Sequence, residues 1–515
     1  VIATIIPIST NTTIATCIQI QVGGIVQAAY LGGARAVLAG WNPSDGRHAR
    51  WRSAGAERPG RDYDQSMAGC LRRPAGCPLA AIRALALTLS LTALIGPAAT
   101  PAGAASARSA AVAPLGGVNV DGPYYGGVSP AAADREIAAA RALHAGVVRA
   151  GIPWSVLEPL GPGQIAPRAL AFTDRLVSDA STAGIHVIMI VDSTPCWAAA
   201  APASLLRRCV ASRPSGANAW PPRDPSAYAA FVAYLAQRYG TQLAAIEIWN
   251  EPDQANQFYF AGPDKPQRYA AIVRAAYPAI KQANPQVPVI VGSLVGSNGA
   301  FLRALYAAGI RGYYDGLAVH FYNLVLASLR SIREVQLANG DSKPLWLDEF
   351  GWSSCYPRRK IQEEQACVST RVQASNIADT VRSLARTPFV AAAVVYDLQS
   401  SGQEEFGLLT ASGAHKPAFA ALSKALASPF ANASPVTLGL RRRGAAVVAS
   451  GSGPVGDYME LEASVSGVLR YRALFTLDRF NRYSIALPTV LGTHGLQVRV
   501  FQFWAGTAGA ARRSI

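Results

Sequence analysis

Between Leu115 and Ala427 the chain alternates eight times between a short β-branched run and a longer Ala-rich stretch, a rhythm few folds can absorb. The candidate strands are Leu115–Val120, Val147–Arg149, His186–Val191, Ala245–Trp249, Val287–Val291, Gly316–Val319, Leu345–Leu347 and Val390–Tyr396. Candidate helices fall near 130–144, 169–183, 226–239, 266–283, 300–308, 328–339, 363–386 and 416–427. Ser129-Pro130 and Asp224-Pro225 supply an N-cap with a first-turn proline, and Gly146, Gly184, Gly240, Gly309 and Gly340 stand just past helix ends. Eight such units in about 310 residues predict an α/β fold of the (β/α)8 TIM-barrel type. A doubly wound open sheet is the alternative, but Asn119-Val120-Asp121-Gly122 follows the first strand where a Gly-rich phosphate-binding turn would stand.

Past Pro429 the rhythm changes. Val436–Leu440, Ala445–Ser450, Tyr458–Val465, Leu469–Leu477, Tyr483–Leu487 and Gln497–Phe503 are short alternating runs broken by Gly, Pro and Asn. They predict a small all-β sandwich as an accessory domain over 429–515, with Arg441–Arg443 on a solvated strand edge. Half the residues are hydrophobic and 15% are charged, enough to bury two cores and too little for wholesale disorder. The formal charge is +16, but the basic residues are scattered and no aromatic–basic interleaving suggests base stacking, so no nucleic-acid partner is expected.

Residues 1–66 show no sustained periodicity, and at Met67 the text changes. Arg72, Arg73 and Arg83 precede a mainly apolar run of eleven, Leu85–Ile95, followed by small-residue sites at Ala102-Gly103-Ala104 and Ala105-Ser106-Ala107. That order is a secretory signal peptide, and eleven residues are too few to span a bilayer. The expected organisation is therefore an upstream over-extension or disordered segment over 1–66 and a signal peptide over 67–107 cleaved near Ala104 or Ala107. A barrel over 108–428 and the sandwich follow, in a secreted chain without a transmembrane anchor. Cys196 and Cys209, and Cys355 and Cys367, are 13 and 12 residues apart and read as two local disulfides. No His accompanies either pair at zinc spacing, so no metal is expected there.

Barrel chemistry gathers where strands end. Those ends here read Val148-Arg149-Ala150, Asp192-Ser193-Thr194-Pro195-Cys196-Trp197, Trp249-Asn250-Glu251-Pro252-Asp253, His320-Phe321-Tyr322, Asp348-Glu349-Phe350-Gly351-Trp352 and Tyr396-Asp397. Two carboxylates from different strands, ringed by Arg, His, Asn and Tyr, suit glycosidic bonds: one protonates the leaving oxygen while the other supports the cationic sugar carbon. Trp197, Trp352 and Tyr396 offer flat faces for a sugar ring, although a loop Trp serves packing as often.

Ile246-Glu247-Ile248-Trp249-Asn250-Glu251-Pro252 resembles the strand-4 signature of the large clan of retaining TIM-barrel glycosidases, and Leu345-Trp346-Leu347-Asp348-Glu349-Phe350-Gly351-Trp352 resembles its strand-7 nucleophile segment. Within that clan the chain is most similar to family 39, home of β-xylosidases, α-iduronidases and bacterial exopolysaccharide hydrolases, with family 5 next. The resemblance spans about residues 115–427. It implies Glu251 as general acid/base, Asn250 as partner of the sugar 2-hydroxyl and Glu349 as nucleophile. Arg149 would hold that nucleophile charged, Tyr322 would hydrogen-bond it, and His320 would line the same subsite. One departure stands out: Tyr396 occupies the strand-8 place where the clan carries Trp, which leaves the sugar's identity open. The reaction needs no cofactor or metal, because two carboxyls carry both proton transfer and covalent catalysis.

Plainer readings stand beside these. Glu251 could cap the segment after Pro252, and His320 could be a satisfied core histidine. Arg149 could pair with any acid at the mouth, and Glu247 reads as a buried structural carboxylate. Strand alternation points only one of Asp348 and Glu349 inward, and the motif favours Glu349. Asp192 and Asp397 have no assigned role. The expected activity is that of a secreted, retaining O-glycosyl hydrolase acting on a poly- or oligosaccharide. Its rivals are a non-catalytic glycan-binding wall protein and a transglycosylase using the same residues.

Overall fold

The computed structural model describes residues 113–120, 130–211, 215–322, 324–356, 367–401, 404–503 and 510–515, and four strands between residues 2 and 41. The expected signal peptide and its cleavage sites lie outside the described residues.

Eight strands close into a parallel barrel in sequence order: β1 (Leu115–Asn119), β2 (Val147–Gly151), β3 (His186–Val191), β4 (Leu243–Ile248), β5 (Val289–Leu294), β6 (Gly316–His320), β7 (Leu345–Phe350) and β8 (Val390–Val395), with β8 pairing back to β1. Eight helices follow them: α1 (Pro130–Ala142), α2 (Pro167–Thr182), α3 (Pro225–Tyr239), α4 (Lys265–Ala283), α5 (Ala300–Ala307), α6 (Val325–Ala338), α7 (Thr370–Leu384) and α8 (Pro417–Ala427). The strands are apolar on both faces because one set of side chains meets the helices and the other fills the barrel. Val147, Ile188, Ala245, Ile290, Ala318, Trp346 and Ala392 form that inner layer. Two residues further along each strand the side chain returns to the same face one level higher, which brings Arg149, Ile190, Glu247, His320 and Asp348 to the C-terminal end of the barrel.

Local signals set most element ends. The Asp224 carboxylate accepts from Ser226 N at 2.9 Å and starts α3. After α1 it is His144, at φ 59°, that takes the left-handed turn, two residues before the expected Gly146. α7 begins at Thr370, behind the N-cap Ser369, later than the expected 363, because Cys367 is held in a disulfide just upstream. Short helices at Trp154–Leu157 and Ala203–Leu206, after β2 and β3, were not anticipated.

The C-terminal region is a β-sandwich. β9 (Gly439–Arg443), β10 (Ala446–Ser452) and β13 (Arg482–Ala486) form one antiparallel sheet; β11 (Met459–Val465), β12 (Val468–Phe475), β14 (Leu496–Gln502) and an unanticipated β15 (Ala511–Ser514) form the other. Val447, Ala449 and Tyr483 from the first meet Met459, Leu461, Phe475 and Val500 from the second. Arg441–Arg443 lie exposed on the edge strand β9. Within the segment read as over-extended or disordered, Ile2–Thr10, Thr13–Val22, Ile25–Gly32 and Arg35–Trp41 run antiparallel and continue the larger sheet beyond β12, with Ile2 opposite Phe475.

The sandwich is fastened to the barrel. Gly456 O accepts from Leu326 N in the first turn of α6 at 2.7 Å, and Arg330 on α6 pairs with Asp457 at 2.7 Å. Asn481 donates to Asn376 on α7 at 2.7 Å, and Ser434 N donates to Asp379 at 3.0 Å. Among the described residues no helix is long and apolar enough to cross a membrane.

Candidate active site

Arg149 is the hub. It sits on the inner face of β2, 2% exposed, and each of its five N–H groups has a partner. Nε and Nη2 grip Glu247 at 2.8 and 2.7 Å; Nη1 reaches Asn119 at 2.9 Å and Glu349 at 2.5 Å; the remaining Nη2 hydrogen goes to Asn250 Oδ1 at 2.9 Å. Burial would push the guanidinium down, yet Glu247, Asp348 and Glu349 around it hold it well above its ordinary value. Glu247 in turn is opposed by burial but held below the usual range by Arg149, and it also accepts from Ser293 Oγ. It is a buried structural carboxylate that orients the arginine.

Strand alternation points only one of Asp348 and Glu349 inward, and here that expectation fails. β7 carries one extra residue against both neighbours: Val319 pairs with Leu347 but His320 with Glu349, and Phe350, three positions after Leu347, pairs with Val395, only two after its partner Ala393. This bulge turns both acids toward Arg149, Asp348 at 3.4 Å and Glu349 at 2.5 Å. Asp348 is the deeper and fully buried; burial and the Glu247 charge push its carboxyl well above the usual range. Glu349 stands at the mouth, and Tyr322 donates to its second oxygen at 2.5 Å.

Glu251 comes from the turn after β4, where Trp249 and Glu251 both adopt the left-handed region, at φ 70° and 44°. Such a backbone is costly for non-glycine residues and persists because its surroundings impose it. The Trp249 indole is buried and donates to Tyr259 O at 2.9 Å, which anchors the turn. Gln254 donates to Glu251 Oε2, and His320 Nδ1 lies 2.7 Å from Oε1. His320 also approaches Glu349 Oε2 at 3.4 Å, so it bridges the two acids. Burial would lower the imidazole, but the Glu349 charge and the bond to Glu251 win and take it up to about 9. The 3.2 Å approach of Arg149 Nη2 to His320 Nε2 is a contact, since both Nη2 hydrogens are spent on Glu247 and Asn250. A carboxylate oxygen of Glu251, one of Glu349 and a His320 nitrogen all lie within 4.8 Å of one another.

Among the described residues, two sets of side chains could geometrically hold an ion, Glu247–His320–Asp348 and Glu251–His320–Glu349. The donor set argues for a hydrogen-bonded array instead. Arg149 already hydrogen-bonds Glu247 and Glu349, and His320 Nδ1 lies 2.7 Å from Glu251 Oε1, so these donors and acceptors already satisfy one another.

The aromatic candidates divide. Tyr396, at the end of β8, is half-buried, packs edge-on to Tyr322 at 6.0 Å and donates to Glu404 at 3.1 Å. Trp197 is half-buried, edge-on to Trp154 at 5.5 Å, with its indole N–H on Glu158 O at 2.9 Å. Trp352 is 3% exposed and packs against Phe350 in the hydrophobic core, so it stiffens the end of β7 instead of offering a sugar face. Cys196–Cys209 and Cys355–Cys367 are bonded, with Cα atoms 5.7 and 5.3 Å apart. Sequence reasoning missed Asn119, whose amide bridges Arg149 and the carbonyl of Asp348 at 2.9 Å each, and Ser293 on Glu247. A polar residue ending an otherwise apolar first strand was the available signal for Asn119.

No protein-family model matches the chain, and no curated protein does. Among solved structures the chain is similar to a family 39 glycoside hydrolase from the gut symbiont Bacteroides cellulosilyticus WH2, at 14% identity over 94% of each chain with a TM-score of 0.49. It is also similar to the family 39 enzyme of Xanthomonas axonopodis pv. citri, at 14% identity over 73% of this chain and 93% of that one with a TM-score of 0.45. A family 39 β-xylosidase from Caulobacter crescentus is 17% identical over 76% and 96%, with a TM-score of 0.42.

Proposed function

We propose that the protein is a secreted glycoside hydrolase that retains anomeric configuration, with Glu349 as nucleophile and Glu251 as general acid/base. The observation that supports this is the approach of the two carboxylates, one oxygen of each lying within 4.8 Å of the other, which suits a closely spaced pair. A retaining pair stands about 5–5.5 Å apart, whereas an inverting pair needs roughly 6.5–9.5 Å to admit water between acid and sugar.

In the first step Glu349 attacks the anomeric carbon, the glycosidic C–O bond breaks, and Glu251 gives its proton to the departing oxygen. A glycosyl ester on Glu349 results. In the second step Glu251 takes a proton from water, the water oxygen attacks the anomeric carbon, and the ester bond breaks. Arg149 and Tyr322, each on one oxygen of Glu349, aim the attacking carboxylate and steady it as it leaves. His320 keeps a proton within one hydrogen bond of Glu251 up to about pH 9. Asn250 spends its oxygen on Arg149, which leaves its N–H groups to donate to a sugar hydroxyl.

An activated 2-deoxy-2-fluoro glycoside should trap the ester on Glu349, read by peptide mass spectrometry. Glu251→Ala should still form the intermediate from an aryl glycoside with a good leaving group, and azide should restore turnover with retained configuration. Labelling at Asp348, or azide rescue at Glu349→Ala that retains configuration, would overturn the assignment.

A further inference from the structure

One carboxylate beside this pair has no part in the reaction. Asp192 directly follows β3, on the face shared by Ile188 and Ile190, and Ile188 belongs to the layer that fills the barrel. By period two its side chain points into the barrel mouth, one level above Ile190. It is 8% exposed, and its Oδ1 has no hydrogen-bond partner among the described residues. The main chain there is fixed, because Asp192 O accepts from Trp154 N at 2.8 Å. Burial and the Glu247 charge raise its carboxyl to about 7 against the pull of Arg149. The arginine cannot relieve it, since all five of its N–H groups are committed. Tyr259, from the loop after β4, is raised by burial and then by the charges of Glu251, Glu349 and Asp192.

A buried acceptor left unmet by the protein is costly unless a ligand supplies the donor. The local charge says which ligand. Five carboxyls, Asp192, Glu247, Glu251, Asp348 and Glu349, gather here, and Arg149 and His320 beside them are already bonded. A sugar carboxylate entering here would be a sixth acid, with no unbonded cation beside it among the described residues. Hydroxyl or ammonium groups would meet the waiting acceptor.

Resting on the glycosidase reading, we propose that Asp192 is a specificity residue of the reacting-sugar subsite. It accepts hydrogen bonds from hydroxyl or amine groups of the sugar, so the substrate is a neutral or amino glycoside and a uronide is rejected.

The test is a panel of 4-methylumbelliferyl glycosides, neutral, amino and uronic in both anomers, with the full chain, Asp192→Asn and Asp192→Ala. The parent should turn over a neutral or amino glycoside at a kcat/KM at least about a hundredfold above the uronide of the same configuration. Asp192→Asn should raise KM for the preferred sugar about tenfold with a smaller change in kcat, and should narrow the uronide gap by a similar factor. Unchanged labelling of Glu349 in the variant reports an intact nucleophile. A parent that prefers the uronide, or variants that keep both KM and the gap, would overturn the proposal. If no glycoside is turned over and Glu349 is never labelled, the glycosidase reading itself falls and the subsite with it.

Discussion

Replacing Asp192 by Asn should stabilise the protein at alkaline pH and leave it nearly unchanged in acid. A carboxyl that ionises near 3.8 in the unfolded chain and near 7 in the folded one resists ionisation only when folded. Stability is therefore untouched below the unfolded value, falls as pH rises between the two, and stays low above the folded value. Some three pH units at 1.36 kcal/mol each put the ceiling at about 4 kcal/mol. With an unfolding entropy of about 2.1 cal/mol/K per residue over roughly 400 folded residues, that ceiling is a rise of about 5 °C in Tm. The assay is calorimetry of parent and variant from pH 4 to pH 8. The buried amide costs the same at every pH, so the reading is the difference between the two ends of the series. A gain of about 2–5 °C at pH 8 that vanishes near pH 4 is expected. An equal effect at both ends, or a loss that grows with pH, would refute the argument that this carboxylate is buried without a donor.

Tyr322→Phe removes one of two donors on Glu349 and should lower kcat/KM about 10- to 100-fold with little change in Tm, measured on any aryl glycoside the parent cleaves. Arg330→Ala strips the partner from Asp457, whose carboxyl burial already raises to about 6 despite that arginine. Its loss should cost about 1–3 kcal/mol at pH 8 and clearly less at pH 5, where Asp457 takes up a proton; urea titrations at the two pH values would show it.

The eight strand–helix units were legible because each carries its own local punctuation, such as the Asp224 cap and the apolar runs buried on both faces. The segments bearing Glu251 and Glu349 stood out through their neighbours in sequence. What stayed hidden depends on contacts between distant elements. The bulge that turns Asp348 and Glu349 the same way exists only against β6 and β8, so a rule for an isolated strand cannot see it. Asn119 and Asp192 gain meaning only from how Arg149 distributes its five donors, one accepting and the other left out. Trp352 carried the same signal as Trp197, and only the packing of Phe350 against it separates a buried indole from a half-exposed one.

The carbonyl of Gly456 limits how freely this chain can be recombined. Helix α6 begins at Val325, three residues after Tyr322, and Leu324 gives it no side-chain cap. Its first turn instead borrows an acceptor from the other domain, through Leu326 N on Gly456 O. The two domains are thus not interchangeable modules. A crossover in the connecting segment that brought in a foreign sandwich would leave a helix end undone next to a residue that touches the nucleophile. A viable exchange would have to carry the loop around Gly456 and Asp457 across with the barrel, which moves the heritable boundary nearly thirty residues past where composition alone would draw it.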